Sequence, residues 1–125
     1  MVLVDTSVWI RFLNGSEPYA GQLDVLLERG LAAGHELVYG ELLMGSGSKR
    51  ANLLDEFKWL PQIKSANHEM VVRHISVLKL SGRGIGWIDA HLLTSTVQNG
   101  SLLWTASLKL NLIADEIGVA YSFSA

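Results

Sequence analysis

Val2-Leu3-Val4-Asp5-Thr6-Ser7-Val8-Trp9-Ile10 is the stretch on which the fold of this chain turns. Its three β-prone apolar residues read as a short strand buried on both faces. Asp, Thr and Ser are residues that open helices, and a helix is expected over 7–13, stopped by Asn14-Gly15. A buried strand feeding directly into a helix is the start of a parallel β–α unit. Such sheets carry their functional groups at the carboxyl ends of strands, which is where Asp5 falls. Taken alone, Asp5 is more often read as an ordinary helix N-cap.

The same alternation continues outward. Leu23, Leu26 and Leu27 give helical spacing to 19–29, which ends at Gly30. Leu37, Val38 and Leu42 form a stripe on a helix expected over 36–45, before Gly45-Ser46-Gly47-Ser48. A helix is expected over 52–60, up to Pro61, and another over 68–80 with Val71, Ile75 and Leu78 on one face. Gly82-Arg83-Gly84-Ile85-Gly86 reads as a loop, 88–98 as a helix, and Leu102-Leu103-Trp104-Thr105 as a second buried strand. A helix over 108–117 and a last strand over 119–123 complete the pattern. Short apolar strands alternating with helices predict an α/β fold with a mostly parallel sheet flanked by helices. With 125 residues, the chain is expected to be one domain, 1–125.

Composition narrows the function classes. Hydrophobic residues make up 49 % and charged residues 18 %, a globular balance with a mean hydropathy of +0.26. No apolar run approaches the roughly 18 residues of a membrane span, so the apolar excess belongs in a core or against a protein partner. There is no cysteine, which excludes disulfides, thiolate zinc sites and cysteine nucleophiles. No basic segment precedes the first apolar run, so no signal peptide is expected and a cytoplasmic location is. The net charge of −2 excludes a protein that grips nucleic acid by bulk charge; such contacts must be local or carried by cations.

Three acids stand where stability gives little reason for them. Asp5 follows a strand. Glu41 has Leu37, Val38, Met44 and Gly45 as its helical neighbours, so a carboxylate shares an apolar face. Asp89 opens a helix behind Gly84-Ile85-Gly86-Trp87. Each has a bland reading, as a cap or a half-exposed helix acid. Together at one sheet rim they would repel one another without a cation, and an oxygen-only set suits Mg²⁺ or Mn²⁺. That chemistry points to phosphoryl transfer to water. His35, His68, His74 and His91 lack metal-ligand spacing, and the Gly-x-Gly-x-Gly run follows a helix rather than a strand, against dinucleotide binding.

The segments Val4-Asp5-Thr6-Ser7-Val8-Trp9-Ile10, Gly40-Glu41-Leu42-Leu43-Met44-Gly45, Gly82-Arg83-Gly84-Ile85-Gly86-Trp87-Ile88-Asp89-Ala90-His91 and Leu103-Trp104-Thr105 resemble, in order and spacing, a PIN domain of the VapC ribonuclease toxins. The resemblance runs from Val2 to about Val119. It implies a PIN-like α/β fold and a metal-dependent endoribonuclease that uses Mg²⁺ or Mn²⁺ held by Asp5, Glu41 and Asp89. It implies a cognate VapB-like antitoxin, an RNA substrate and a homodimer, with no membrane association. Thr6 or Ser7 would orient the carboxylates, and Thr105 would line the pocket. Arg83, Lys79, Lys49 and Lys109 could contact an RNA backbone; the others read as solvated surface cations, and Arg83 is the one singled out. Trp9, Phe12, Leu13 and Tyr19 mark the region where relatives seat the antitoxin. One position departs from the family pattern: Ser107 stands where a fourth acid is usual, and a helix N-cap is the simple role for it there. The alternative functions are therefore a catalytically weakened PIN module that mainly binds antitoxin or RNA, and a small α/β phosphohydrolase of another substrate class.

Overall fold

A computed structural model describes residues 1–123. The strands are β1 (Val2–Val4), β2 (Ala32–Ala33) and β3 (Leu102–Trp104). The helices are α1 (Thr6–Leu13), α2 (Tyr19–Glu28), α3 (Glu36–Leu43), α4 (Ser48–Phe57), α5 (His68–Leu78), α6 (Trp87–Gln98) and α7 (Leu108–Glu116). The sheet is parallel throughout, in the order β2-β1-β3. The expected α/β architecture with a parallel sheet is what the chain adopts.

β1 is the central strand, paired Val2 to Ala32 on one side and Val4 to Trp104 on the other. Val4, Leu3 and Leu103 are fully buried, as a strand covered by helices on both faces must be. The chain leaves β1 toward β2 through α1 and α2, then returns to the other side of β1 through α3 to α6. The carboxyl ends of β1 and β3 thus flank the crevice where the winding direction changes.

Trp9 anchors α1 in the core at 0 % exposure, edge-on to Phe12 at 5.8 Å and to Phe57 of α4 at 5.6 Å. Each edge-to-face pair adds about 0.5–1.5 kcal/mol beyond area burial. The Phe57 ring reaches so close to β2 that a Cβ on Gly34 would stand 2.7 Å from it, so only glycine fits at Gly34. The Gly34 backbone there bonds Pro61 and Ile63, which extends the sheet edge past β2.

Three elements differ from expectation. The pair Ala32–Ala33 was not predicted as a strand, because two small residues carry no β signal; burial between Leu3 and α2 selects it. The helix expected over 52–60 forms four residues earlier, behind Gly47 at φ 105°, and ends at Phe57. The strand expected over 119–123 is only a single bridge, Leu103 to Ala120. Its backbone pairs with Leu103 through Val119 and Tyr121. Beyond that, Tyr121 and Phe123 pack their rings on Trp104, 5.3 and 5.5 Å away, instead of extending the ladder.

Candidate metal centre

Asp5 occupies the N-cap position of α1, yet its side chain makes no capping bond. Its backbone N–H donates to the Trp104 carbonyl at 2.9 Å, which ties it to the end of β3. Its Oδ2 accepts two hydroxyl protons, from Ser7 Oγ and from Thr105 Oγ1, each at 2.7 Å. The carboxylate is only 6 % exposed. A capping role therefore does not account for it; two hydroxyls, one from the first turn of α1 and one just past β3, hold it toward the crevice.

Those hydroxyls are themselves held. Ala106 N–H donates to Ser7 Oγ at 3.0 Å, and Ser107 N–H to Thr105 Oγ1 at 3.0 Å. Glu41 comes from α3, and its Oε1 accepts from Thr6 Oγ1 at 2.7 Å. Asp89 lies in the first turn of α6, and its Oδ2 accepts from Gly86 N–H at 3.2 Å. Burial pushes the Asp89 carboxyl above its ordinary range. The Gly86 N–H draws it back, and the nearby Asp5 charge raises it further.

A common pattern emerges. Each of the three carboxylates has one oxygen anchored by a protein donor and the other free of any donor among the described residues. Asp5 and Asp89 are near enough to feel each other's charge, and Glu41 joins Asp5 through the adjacent Thr6 and Ser7. They do not form a closed cage: among the described residues, no three acid or histidine side chains converge as cation ligands must. The donor chemistry nevertheless fits a hard divalent ion. Mg²⁺ commonly takes one or two carboxylates and completes its shell with water and phosphate oxygens.

Two other sequence-marked residues take structural partners. Ser107 Oγ accepts from Leu110 N–H at 3.3 Å as the N-cap of α7. Arg83 forms a two-pronged pair with Glu116 at 2.8 and 2.7 Å, and each side chain shifts the other toward its charged form. Arg83's charge is thus already balanced.

Sequence reasoning passed over His35 and Ser95. His35 caps α3 by accepting Leu37 N–H at Nδ1, and its Nε2 meets Ser95 Oγ of α6 at 3.0 Å. That bond fastens the helix bearing Glu41 to the helix bearing Asp89. A histidine directly before an acid-led helix, and a serine inside the apolar run of α6, were the available signals. His91 packs edge-on to Trp87 at 5.8 Å and near His35 at 6.1 Å.

Beside Glu41 lies a groove of about 470 Å³, lined by Thr6, Ile10, Leu13, Leu42, Lys49 and Arg50 among others.

The family model described as "PIN domain" matches residues 2–113. Ribonuclease VapC32 of Mycobacterium tuberculosis, strains CDC 1551 / Oshkosh and H37Rv, is 40 % identical over 121 residues, covering 96 % of this chain and 95 % of the relative. Among solved structures, FitAcB from Neisseria gonorrhoeae superposes with a TM-score of 0.64 at 20 % identity, over 96 % of this chain and 95 % of that one. FitAB bound to a DNA fragment gives 0.65 at 20 % identity, over 96 % and 92 %. At that identity the two structures speak for the fold alone.

Proposed function

This chain belongs to the PIN-domain family, among the VapC ribonucleases, and we propose that it is a VapBC-type toxin that hydrolyses RNA phosphodiesters with Mg²⁺ or Mn²⁺. The observation that carries the reading is the trio Asp5, Glu41 and Asp89, each with one oxygen anchored and one free at the switch point of the sheet. A bound divalent cation would neutralise charge developing on the phosphoryl oxygens.

The chain's own residues set the geometry. Asp5 and Asp89 would hold the ion, with Glu41 beside them. Ser7 and Thr105 spend their hydroxyl protons on Asp5, so they orient that carboxylate and are poor candidates for nucleophile. Water is then the attacking group, consistent with hydrolysis. The −2 net charge fits a site that draws RNA through a cation and a few local contacts.

The proposal includes a VapB-like antitoxin and a homodimer. Ile10 is exposed at the groove beside Glu41, Leu43 and Met44 are exposed nearby, and α5 exposes Val72 and Val77, so apolar surface is available for both contacts. A cytoplasmic location is part of the same reading; no helix among the described residues is long and apolar enough to cross a membrane.

The test is cleavage of a single-stranded RNA by purified protein. Cleavage should require Mg²⁺ or Mn²⁺, stop with EDTA and return when the ion is restored; cleavage indifferent to chelation would sink the metal assignment. A second expectation concerns Ser107. Aspartate can also cap a helix, so Ser107→Asp should leave α7 intact while adding an acid two hydrogen bonds from Asp5. Divalent-ion affinity, read by calorimetric titration, should rise several-fold. No change would mean that position 107 does not face the ion.

A further inference from the structure

We propose that Lys109 is the cation that receives the RNA backbone at this site, pairing its ammonium with a phosphate; the inference rests on the ribonuclease reading above. Lys109 lies in the first turn of α7, just after Ser107. Ser107 N–H bonds Thr105 Oγ1, and Thr105 bonds Asp5, so the root of the lysine is tied to the carboxylate crevice.

Its side chain crosses to the other wall. A Cβ on Gly84 would stand 2.6 Å from Lys109 Cδ and 2.8 Å from Nζ, so the stem and ammonium lie directly against that glycine. Gly84 has φ 83° and belongs to the loop that leads into Gly86 and Asp89. The ammonium therefore sits between the β3–α7 junction, which holds Asp5, and the loop that holds Asp89.

Three observations favour Lys109 for this role. Its charge is unspent: the one ion pair among the described residues is Arg83 with Glu116. It stands where a cation is disfavoured, since the first turn of a helix repels positive charge. Stability alone would favour a neutral or acidic residue there. Finally, a crevice lined by Asp5, Glu41 and Asp89 repels a phosphodiester, so RNA needs a positive group on the rim. Arg83, three residues before Gly86, is occupied by Glu116, whereas Lys109 is not.

The test is binding of a single-stranded RNA oligonucleotide in EDTA, followed by fluorescence anisotropy across a salt series. Lys109→Met should weaken binding several-fold at low salt. It should also flatten the slope of log affinity against log salt by about 0.7, the value of one single-strand phosphate contact. Lys109→Arg should keep both. Lys58→Met, which removes a cation lying over Trp59 at the end of α4, should change neither. Circular dichroism should show Lys109→Met melting at or slightly above wild type, because an unfavourable cation is lost from a helix N-terminus. A wild-type slope in Lys109→Met, with wild-type binding intact, overturns the role of Lys109 alone. Wild-type protein that does not bind RNA in EDTA overturns this inference; if it also fails to cleave RNA with Mg²⁺ or Mn²⁺, the ribonuclease reading falls with it.

Discussion

Asp5→Asn is expected to fold normally and to lose RNA cleavage by on the order of 10²-fold or more. The magnitude follows from metal sites in general, where changing only the groups that orient a ligand already costs about 10–100-fold. Asparagine is nearly isosteric, and its amide oxygen can still accept from Ser7 and Thr105. It removes the charge and leaves the shape. It also leaves α1 unharmed, because the Asp5 side chain contributes no cap to lose. Removing the charge relieves Asp89 of a repulsive neighbour, so the melting temperature in the absence of divalent ions should equal or exceed wild type. A stable variant that is inactive separates a functional acid from a structural one. Purified Asp5→Asn cleaving RNA at the wild-type rate would refute the assignment, whatever its melting temperature.

How far the sequence could go is clear from particular residues. β1 and its acid were legible because three buried β-prone residues and a helix opener leave few arrangements. β3 and Thr105 were legible for the same reason. The identity of the anchoring bonds was not: that Ser7 and Thr105 meet on one oxygen of Asp5 depends on the parallel register of β1 with β3, a contact across about 100 residues. β2 was invisible because burial, rather than propensity, makes Ala32 and Ala33 a strand. The pairing of Arg83 with Glu116 was likewise hidden, and it leaves Lys109, a cation also legible in the sequence, as the unpaired one beside the crevice among the described residues. His35 was visible as a residue and unreadable as a role, since its partner Ser95 lies sixty positions away on α6.

That histidine should make the protein acid-sensitive well above the carboxylate range. The His35 ring is 0 % exposed. Its Nδ1 accepts the Leu37 N–H, so the proton of the neutral ring resides on Nε2 and is donated to Ser95 Oγ. Ser95 Oγ in turn donates to the His91 carbonyl at 2.8 Å and accepts from Ala66 N–H at 2.9 Å. A second proton could enter only at Nδ1, where it would confront the Leu37 N–H. The His35 pKa is lowered to about 4, chiefly by burial and also by nearby His91, with Glu36 partly offsetting both. In the unfolded chain the ring titrates near its ordinary value of 6.5. Between those two values the unfolded state binds the extra proton and the folded state does not, so stability falls as pH drops from about 6.5 to about 4. The loss reaches up to about 3 kcal/mol, a sizeable share of the stability of a small domain. His74, also lowered by burial, acts in the same direction. Urea unfolding at several pH values between 7.5 and 4.5 measures the total, and His35→Asn isolates the His35 part. Asparagine can accept the Leu37 N–H as a cap but does not titrate, so its stability should vary distinctly less with pH over that window. Equal pH dependence in the two proteins would remove His35 from the account. If the dependence differs as expected, the consequence reaches the metal centre: the bond broken by acid is the Leu37 N–H cap at the start of α3, the helix that carries Glu41, on the same ring that ties α3 to the Asp89-bearing α6. Divalent-ion affinity in wild type should then decline with acid more steeply than in His35→Asn, even while both proteins remain folded.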